Sequence, residues 1–341
     1  MNRARLWKWL SVFGPFLGLI LIYGFFCGLD ELQVRTGSFS GDRFERFGML
    51  FTPGNLKTVL AQTTIVALAA LGMTVVIVSG GIDLSPGSAM ALVTVVVALT
   101  IRGMPESPFL AALLAVPLGV LTGACVGLVN GLVITTFRIV PFIVTLGMMG
   151  IARGAAKYLA GNTTVQNVPE TWLRGLLAID RSPDAPFWKL PSGVIVLALF
   201  AGLVYLILRY SIFGRHVFAI GSNEAAARLC GVRVARRKVQ IYTLAGALTG
   251  VAGILMFSRL SIGDPTGAAG IELNVIASVV IGGASLNGGK GTVSGTLLGA
   301  LIMGVLKNGC DIYGVENYVQ DIFIGIIIIV AVGLDQLRQR R

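Results

Sequence analysis

Apolar residues fall along this chain in long unbroken runs, with polar residues confined to short gaps between them. Runs near the ~20 residues that cross a bilayer as a helix recur at 10–29, 56–79, 86–101, 109–136, 139–160, 191–209, 241–259, 272–286, 293–309 and 317–335. The pattern predicts an all-α, polytopic bundle of about ten transmembrane helices. Two runs, 86–101 and 272–286, are short and predict broken or half-spanning segments. No long polar stretch intervenes, so residues 1–341 read as one membrane domain. Its longest polar pieces are two outer loops, about 30–55 and 161–190, and an inner loop, about 210–240.

Composition agrees with the pattern: 55% hydrophobic, 13% charged, mean hydropathy +0.83. The net charge of +11 would suit a nucleic-acid partner, but its distribution excludes that reading. With the N-terminus inside, the inner segments carry a charge of +12, and the outer and intramembrane remainder −1. The excess is therefore topology, the positive-inside bias of an integral membrane protein. An even span count then puts both termini in the cytoplasm. Arg3, Arg5 and Lys8 ahead of an apolar run resemble a secretory leader, but no small-residue cleavage site follows, so the run reads as a retained first helix. Cys27, Cys125, Cys230 and Cys310 are far apart and predict neither a disulfide nor a metal site.

The inner loop carries its own helix signal. Asn223-Glu224-Ala225-Ala226-Ala227-Arg228-Leu229-Cys230 ends at Gly231. Asn223 is a good N-cap, Glu224 complements the positive helix start, Arg228 suits the negative end, and Gly231 can take the left-handed stop conformation. So short a helix is marginal alone in water, and its stability is expected to come from docking. A membrane protein that presents a docking helix to the cytosol is expected to be driven by a partner.

Two segments interrupt the apolar pattern in similar ways: Gly80-Gly81-Ile82-Asp83-Leu84-Ser85-Pro86-Gly87-Ser88 and Gly282-Gly283-Ala284-Ser285-Leu286-Asn287-Gly288-Gly289. Their Gly-Gly, Leu and final Gly positions coincide at an offset of 202, which suggests a duplicated element. Unwound backbone at membrane depth persists only where protein or a water-filled cavity satisfies it, so both breaks are candidates for a pathway wall or gate. The candidate residues are Asp83, Ser85, Asn130, Asn274, Ser278 and Asn287. Asp83 has two readings, a charge used in gating and a cap on the helix that follows. Gly119, Gly123, Gly127 and Gly131 recur every four residues and predict a close helix–helix seam. Arg153 and Lys157 are expected to snorkel or to pair with a carboxylate such as Glu170. The single histidine, His216, lies in the inner loop, so no histidine metal site or triad is expected within the membrane, and no cofactor is expected. Residues 284–292 approach a phosphate-binding loop but fail it twice, with Ala284 and Gly291 in place of the required Gly and hydroxyl residue. The chain is not expected to hydrolyse ATP itself.

Four stretches together resemble the permease subunits of bacterial ATP-binding-cassette importers for monosaccharides, the ribose, xylose and galactose class. They are Ser79 to Ser85, Ala219 to Val232, Tyr242 to Gly253, and Glu272 to Gly295. Pro86 departs from the family's usual Val, and is acceptable in a first helical turn. The resemblance implies a permease that forms the translocation pathway by alternating access. It also implies a second permease copy or a related chain, a pair of cytoplasmic ATPase subunits, and a periplasmic sugar-binding protein. Asn223, Glu224, Ala225, Ala226, Arg228 and Gly231 would form the helix that enters a groove on the ATPase. The competing readings are a branched-chain amino acid or nucleoside permease of the same superfamily, an ion-coupled secondary transporter and a membrane-embedded enzyme. The second leaves the capped loop helix without a purpose, and the third lacks a recognisable nucleophile and base.

Overall fold

The structure is a computed structural model that describes residues 52–178 and 190–339. The first apolar run, the outer loop 30–51 and Trp188 lie outside the described residues, as do the last two arginines. Among the described residues the fold is all-helical, and the only β-pairing is an isolated bridge between Val165 and Gly263. The helices are α1 (Pro53–Val78), α2 (Pro86–Arg102), α3 (Pro108–Phe137), α4 (Pro141–Leu159), α5 (Ser192–Tyr210), α6 (Ile212–Ser222), α7 (Glu224–Leu229), α8 (Val234–Leu260), α9 (Ile271–Ile281), α10 (Val293–Ile312) and α11 (Asn317–Gln339), with a single 3-10 turn at Trp172–Gly175.

Local sequence explains most of the helix starts. The first four helices all begin on a proline, whose fixed φ and missing N–H suit the first turn. Thr52 caps α1 and Thr292 caps α10, each accepting a backbone N–H three residues on. Five helices, α1, α3, α5, α8 and α10, are long and apolar enough to cross a bilayer. The most apolar stretch of α1 is 89% buried and that of α8 83%, against 33% for α3 and 22% for α5. The bundle is therefore built around α1 and α8, while α3 and α5 turn rows such as Leu110, Leu114, Leu118 and Leu121, and Ile195 and Leu199, outward. Exposed leucine and isoleucine in such numbers would be untenable in water and are ordinary against lipid. Of the two short runs, α9 has 11 residues, about 16 Å of helix against a hydrocarbon core of ~30 Å, so it is half a span.

The glycine stripe on α3 is an intramolecular seam. A Cβ at Gly123 would stand 2.6 Å from Gly250 N, and one at Gly127 would overlap the Tyr242 carbonyl. The α8 glycines Gly246 and Gly250 face back onto α3, so the two backbones touch without intervening side chains. This seam fixes Asn130 and Tyr242 beside the first break.

Candidate gate and docking helix

The inner loop folds as its local signals dictate. Asn223 Oδ1 accepts the Ala226 N–H at 2.9 Å, and α7 runs from Glu224 to Leu229. Gly231 has φ +83°, its N–H donates to the Arg228 carbonyl, and the Val232 N–H donates to Ala227. Those two bonds are the Schellman closure. Ala227 and Val232 pack with Ile220 and Val234, fastening α7 to the bundle by its inner face. The opposite face shows Ala225, Ala226, Arg228 and Leu229 to solvent, with Leu229 90% exposed. That face of α7 is left uncovered by the described residues.

Glu224 does more than face the helix dipole. It binds Arg228 at 3.0 Å within α7 and Lys238 at 2.7 Å on α8. Burial pushes its carboxyl pKa up, but the hydrogen bond and charge of Lys238, then those of Arg228, outweigh that and hold it below the ordinary 4.5. The carboxylate thus ties the start of α7 to the neighbouring span. Arg237 likewise turns inward, its Nε donating to His216 Nδ1 at 3.0 Å and its Nη1 to Gln240 at 2.8 Å. Of the basic run after α7, only Arg233 and Arg236 are exposed.

The two breaks are stopped by the same device. After α1, Gly80 takes φ +82°, the Gly80 N–H donates to Ile77 and the Gly81 N–H to Val76. After α9, Gly283 takes φ +89°, the Gly283 N–H donates to Val280 and the Ala284 N–H to Val279. Both are Schellman stops. The equivalent glycines are Gly80 and Gly283, so the structural offset is 203, one more than the sequence match at 202. That match paired Gly80 with Gly282, which is the C-cap residue and has ordinary φ.

These breaks meet each other and the last turn of α6. The Gly289 N–H donates to the Val78 carbonyl at 2.8 Å. Gly221, in the last turn of α6, lies between them: a Cβ there would overlap the Val78 carbonyl oxygen and stand 2.6 Å from Gly289 N. Gly288 approaches both Gly221 and Gly80, and Gly289 approaches the Ser222 hydroxyl. The near-miss phosphate loop is thus a packing turn. Asn287 lies on it, with its N–H donating to Ser285 Oγ at 3.3 Å.

Beyond the first break lies a buried polar relay. Asp83 is 4% exposed, and its Oδ1 accepts the Ser85 N–H at 2.8 Å and the Ser85 hydroxyl at 2.6 Å. Ser85 Oγ in turn accepts from Asn130 Nδ2 at 3.0 Å, joining the break to α3. The cap reading of Asp83 is therefore corrected: Ser85 is the N-cap residue of α2, and Asp83 closes a turn on Ser85 rather than bonding the helix N–H groups. Tyr242 is missing from the candidates named on sequence. Its hydroxyl presses on Gly81, where a Cβ would overlap it, and among the described residues neither that hydroxyl nor Asn130 Oδ1 has a hydrogen-bond partner. An apolar run gives no sign that one tyrosine within it faces a break that lies six helices earlier in the chain.

The remaining candidates lie elsewhere. Asn274 Nδ2 donates to the Gly270 carbonyl at 3.4 Å, holding the start of α9. Ser278 is fully buried, donates back to Asn274 O at 2.7 Å, and lies where Gly299 of α10 packs on its backbone. Glu170 pairs with Arg174 at 3.8 Å, not with Arg153 or Lys157. Among the described residues no cluster of His, Cys, Asp or Glu is arranged to hold a metal.

Residues 55–332 match the family model described as branched-chain amino acid transport system / permease component. The chain is 40% identical to the ribose import permease protein RbsC of Escherichia coli (strain K12) over 85% of its own length and 88% of that protein. It is 38% identical to RbsC of Bacillus subtilis (strain 168), over 95% and 92%. It is 36% identical to the L-arabinose ABC transporter permease protein AraH of Azospirillum brasilense, over 85% and 82%. No solved structure matches.

Proposed function

This chain belongs to the branched-chain amino acid transport system / permease component family, and on that premise we propose that it is the membrane-spanning subunit of an ATP-driven sugar importer. The observation that carries the proposal is α7: a helix capped at both ends, clamped to α8 through Glu224, and offering Leu229 and Arg228 to the cytosol. Such a helix is built to receive force from a partner. The partner is a pair of cytoplasmic ATPase subunits, and ATP hydrolysis occurs there. A periplasmic binding protein delivers the solute. Two copies of this chain form the pathway, each with ten spans and both termini inside.

Sugar is favoured over branched-chain amino acids because the relatives are named for ribose and L-arabinose. The breaks also offer hydroxyls, amides and the single buried carboxylate of Asp83, not the paired charges that would hold a zwitterion. ATP binding shifts the permease between conformations only through differential affinity for them, and α7 is where that difference is felt. The test is purification of the tagged chain from native membranes in mild detergent, with every co-purifying protein identified by mass spectrometry. An ATPase subunit in the preparation is the expected result, and a co-purifying binding protein screened with sugars and amino acids identifies the solute. Repeated absence of an ATPase after cross-linking would overturn the proposal in favour of ion coupling.

A further inference from the structure

We propose that the contact of Gly221 with Val78 and Gly288–Gly289 is a rigid joint that passes displacement of α7 to both breaks at once. Gly221 is then a positioning residue for transport. The proposal rests on α7 being the ATPase-driven element.

Three observations build it. First, Asn223 belongs to two helices: its N–H donates to the Ala219 carbonyl at the end of α6, and its side chain caps α7. That residue alone lies between them, and Ile220 of α6 packs in one cluster with Ala227 of α7, so the two helices move together. Second, that turn meets both breaks backbone to backbone. Side chains between two elements can absorb a shift by changing rotamer, but peptide groups in contact cannot. At Gly221 even one methyl group would overlap the Val78 carbonyl. Third, the Gly289 N–H to Val78 carbonyl bond ties the two breaks directly, so neither moves alone. On the first break the motion continues five residues to Asp83, and through Ser85 to Asn130 on α3. A push on a water-facing helix thereby reaches a buried polar relay without crossing a compressible layer.

Gly221→Ala is the decisive variant, because alanine suits a helix and Gly221 needs no left-handed φ. Only the overlap is new. Gly202→Ala on α5, where nothing lies within 4 Å, is the control. Uptake of radiolabelled D-ribose, L-arabinose and D-fructose is measured in cells that depend on the tagged chain, alongside its membrane level and the ATPase retained on purification. The joint predicts that Gly221→Ala keeps its ATPase but loses uptake about tenfold, within the ~5–150-fold range of conformational couplings. Uptake within about twofold of the control overturns the joint. A wild-type preparation without ATPase overturns the parent reading instead.

A second measurement needs neither the variant nor a sugar. Hydrogen exchange of the peptide containing Gly289, in the wild-type complex, is compared between the nucleotide-free state and the state trapped with ATP and vanadate. Equal protection in both supports a rigid joint. Exchange that rises about tenfold on trapping means that the Gly289–Val78 bond opens, and overturns it.

Discussion

A single left-handed residue decides whether the inner loop presents a helix. A Cβ at Gly231 would meet nothing within 4 Å, so a substitution there is penalised by conformation alone. The expected order is then Gly, Asn, Ala and Val, with Val least favourable by about 1–2 kcal/mol or more. Retained ATPase should fall in that order while the membrane level of the chain holds, and a flat series would count against the docking role. At the helix start, Glu224→Lys sets a third positive charge beside Arg228 and Lys238 and should release the ATPase. Glu224→Gln loses only half-exposed ion pairs, about 0.2–1 kcal/mol, and should be mild. Because the Glu224 pKa is held below 4.5, its contribution is complete above that pH and is lost as pH falls through the lowered value. The contribution of Glu224 to the docking of α7 should therefore not change across the neutral range. For Asp83 the bonds set the expectation: asparagine keeps an Oδ1 that accepts from Ser85, so Asp83→Asn should transport nearly normally. Asp83→Ala orphans the Ser85 N–H and hydroxyl in a buried site, about 1–3 kcal/mol, and should lower the thermal unfolding temperature in detergent. Severe loss with asparagine would mean that the charge itself is used.

Between elements, the glycines divide by what faces them. Gly123 and Gly127 on α3 touch the α8 backbone, whereas Gly147, Gly150 and Gly154 on α4 face open space. Gly123→Leu should force the two helices apart and remove the chain from the membrane or lower its melting temperature steeply. Alanine at Gly147, Gly150 and Gly154 should be neutral or slightly stabilising, since each exchange improves helix propensity by up to about 1 kcal/mol. Equal melting temperatures for Gly123→Leu and the wild type would dissolve the seam. The same contrast shows what a sequence discloses. The stripe, the Asn223 cap and the Gly231 stop are legible because each is local, a spacing of four or a cap beside its helix. Which helix the stripe meets is not legible, nor is the Lys238 partner of Glu224, nor the meeting of Val78, Gly221 and Gly289, because those contacts join residues far apart in the chain. The break offset slipped by one for a related reason: identity of letters aligned Gly80 with Gly282, while the left-handed backbone aligns it with Gly283.

The molecule as a whole must have an orientation, and its charge sets one. Arg209, Arg215, Arg228, Arg233 and Arg236 lie on or beside α6 and α7, the same end at which Gly80, Gly221 and Gly289 meet. The positive-inside bias therefore predicts that the docking helix and both breaks face the cytosol together. Cys230 provides the measurement: it is exposed at the end of α7, Cys310 is buried, and Cys125 is exposed on α3, a helix whose outer rows suit lipid. A membrane-impermeant maleimide should label the wild-type chain at Cys230 in inverted vesicles and not in intact cells, with Cys230→Ser as the subtraction that removes any signal from other thiols. Bound ATPase should slow that labelling by covering α7, and stripping the ATPase should restore it. Labelling of Cys230 from outside intact cells would reverse the orientation, and no cytoplasmic ATPase could then reach Leu229.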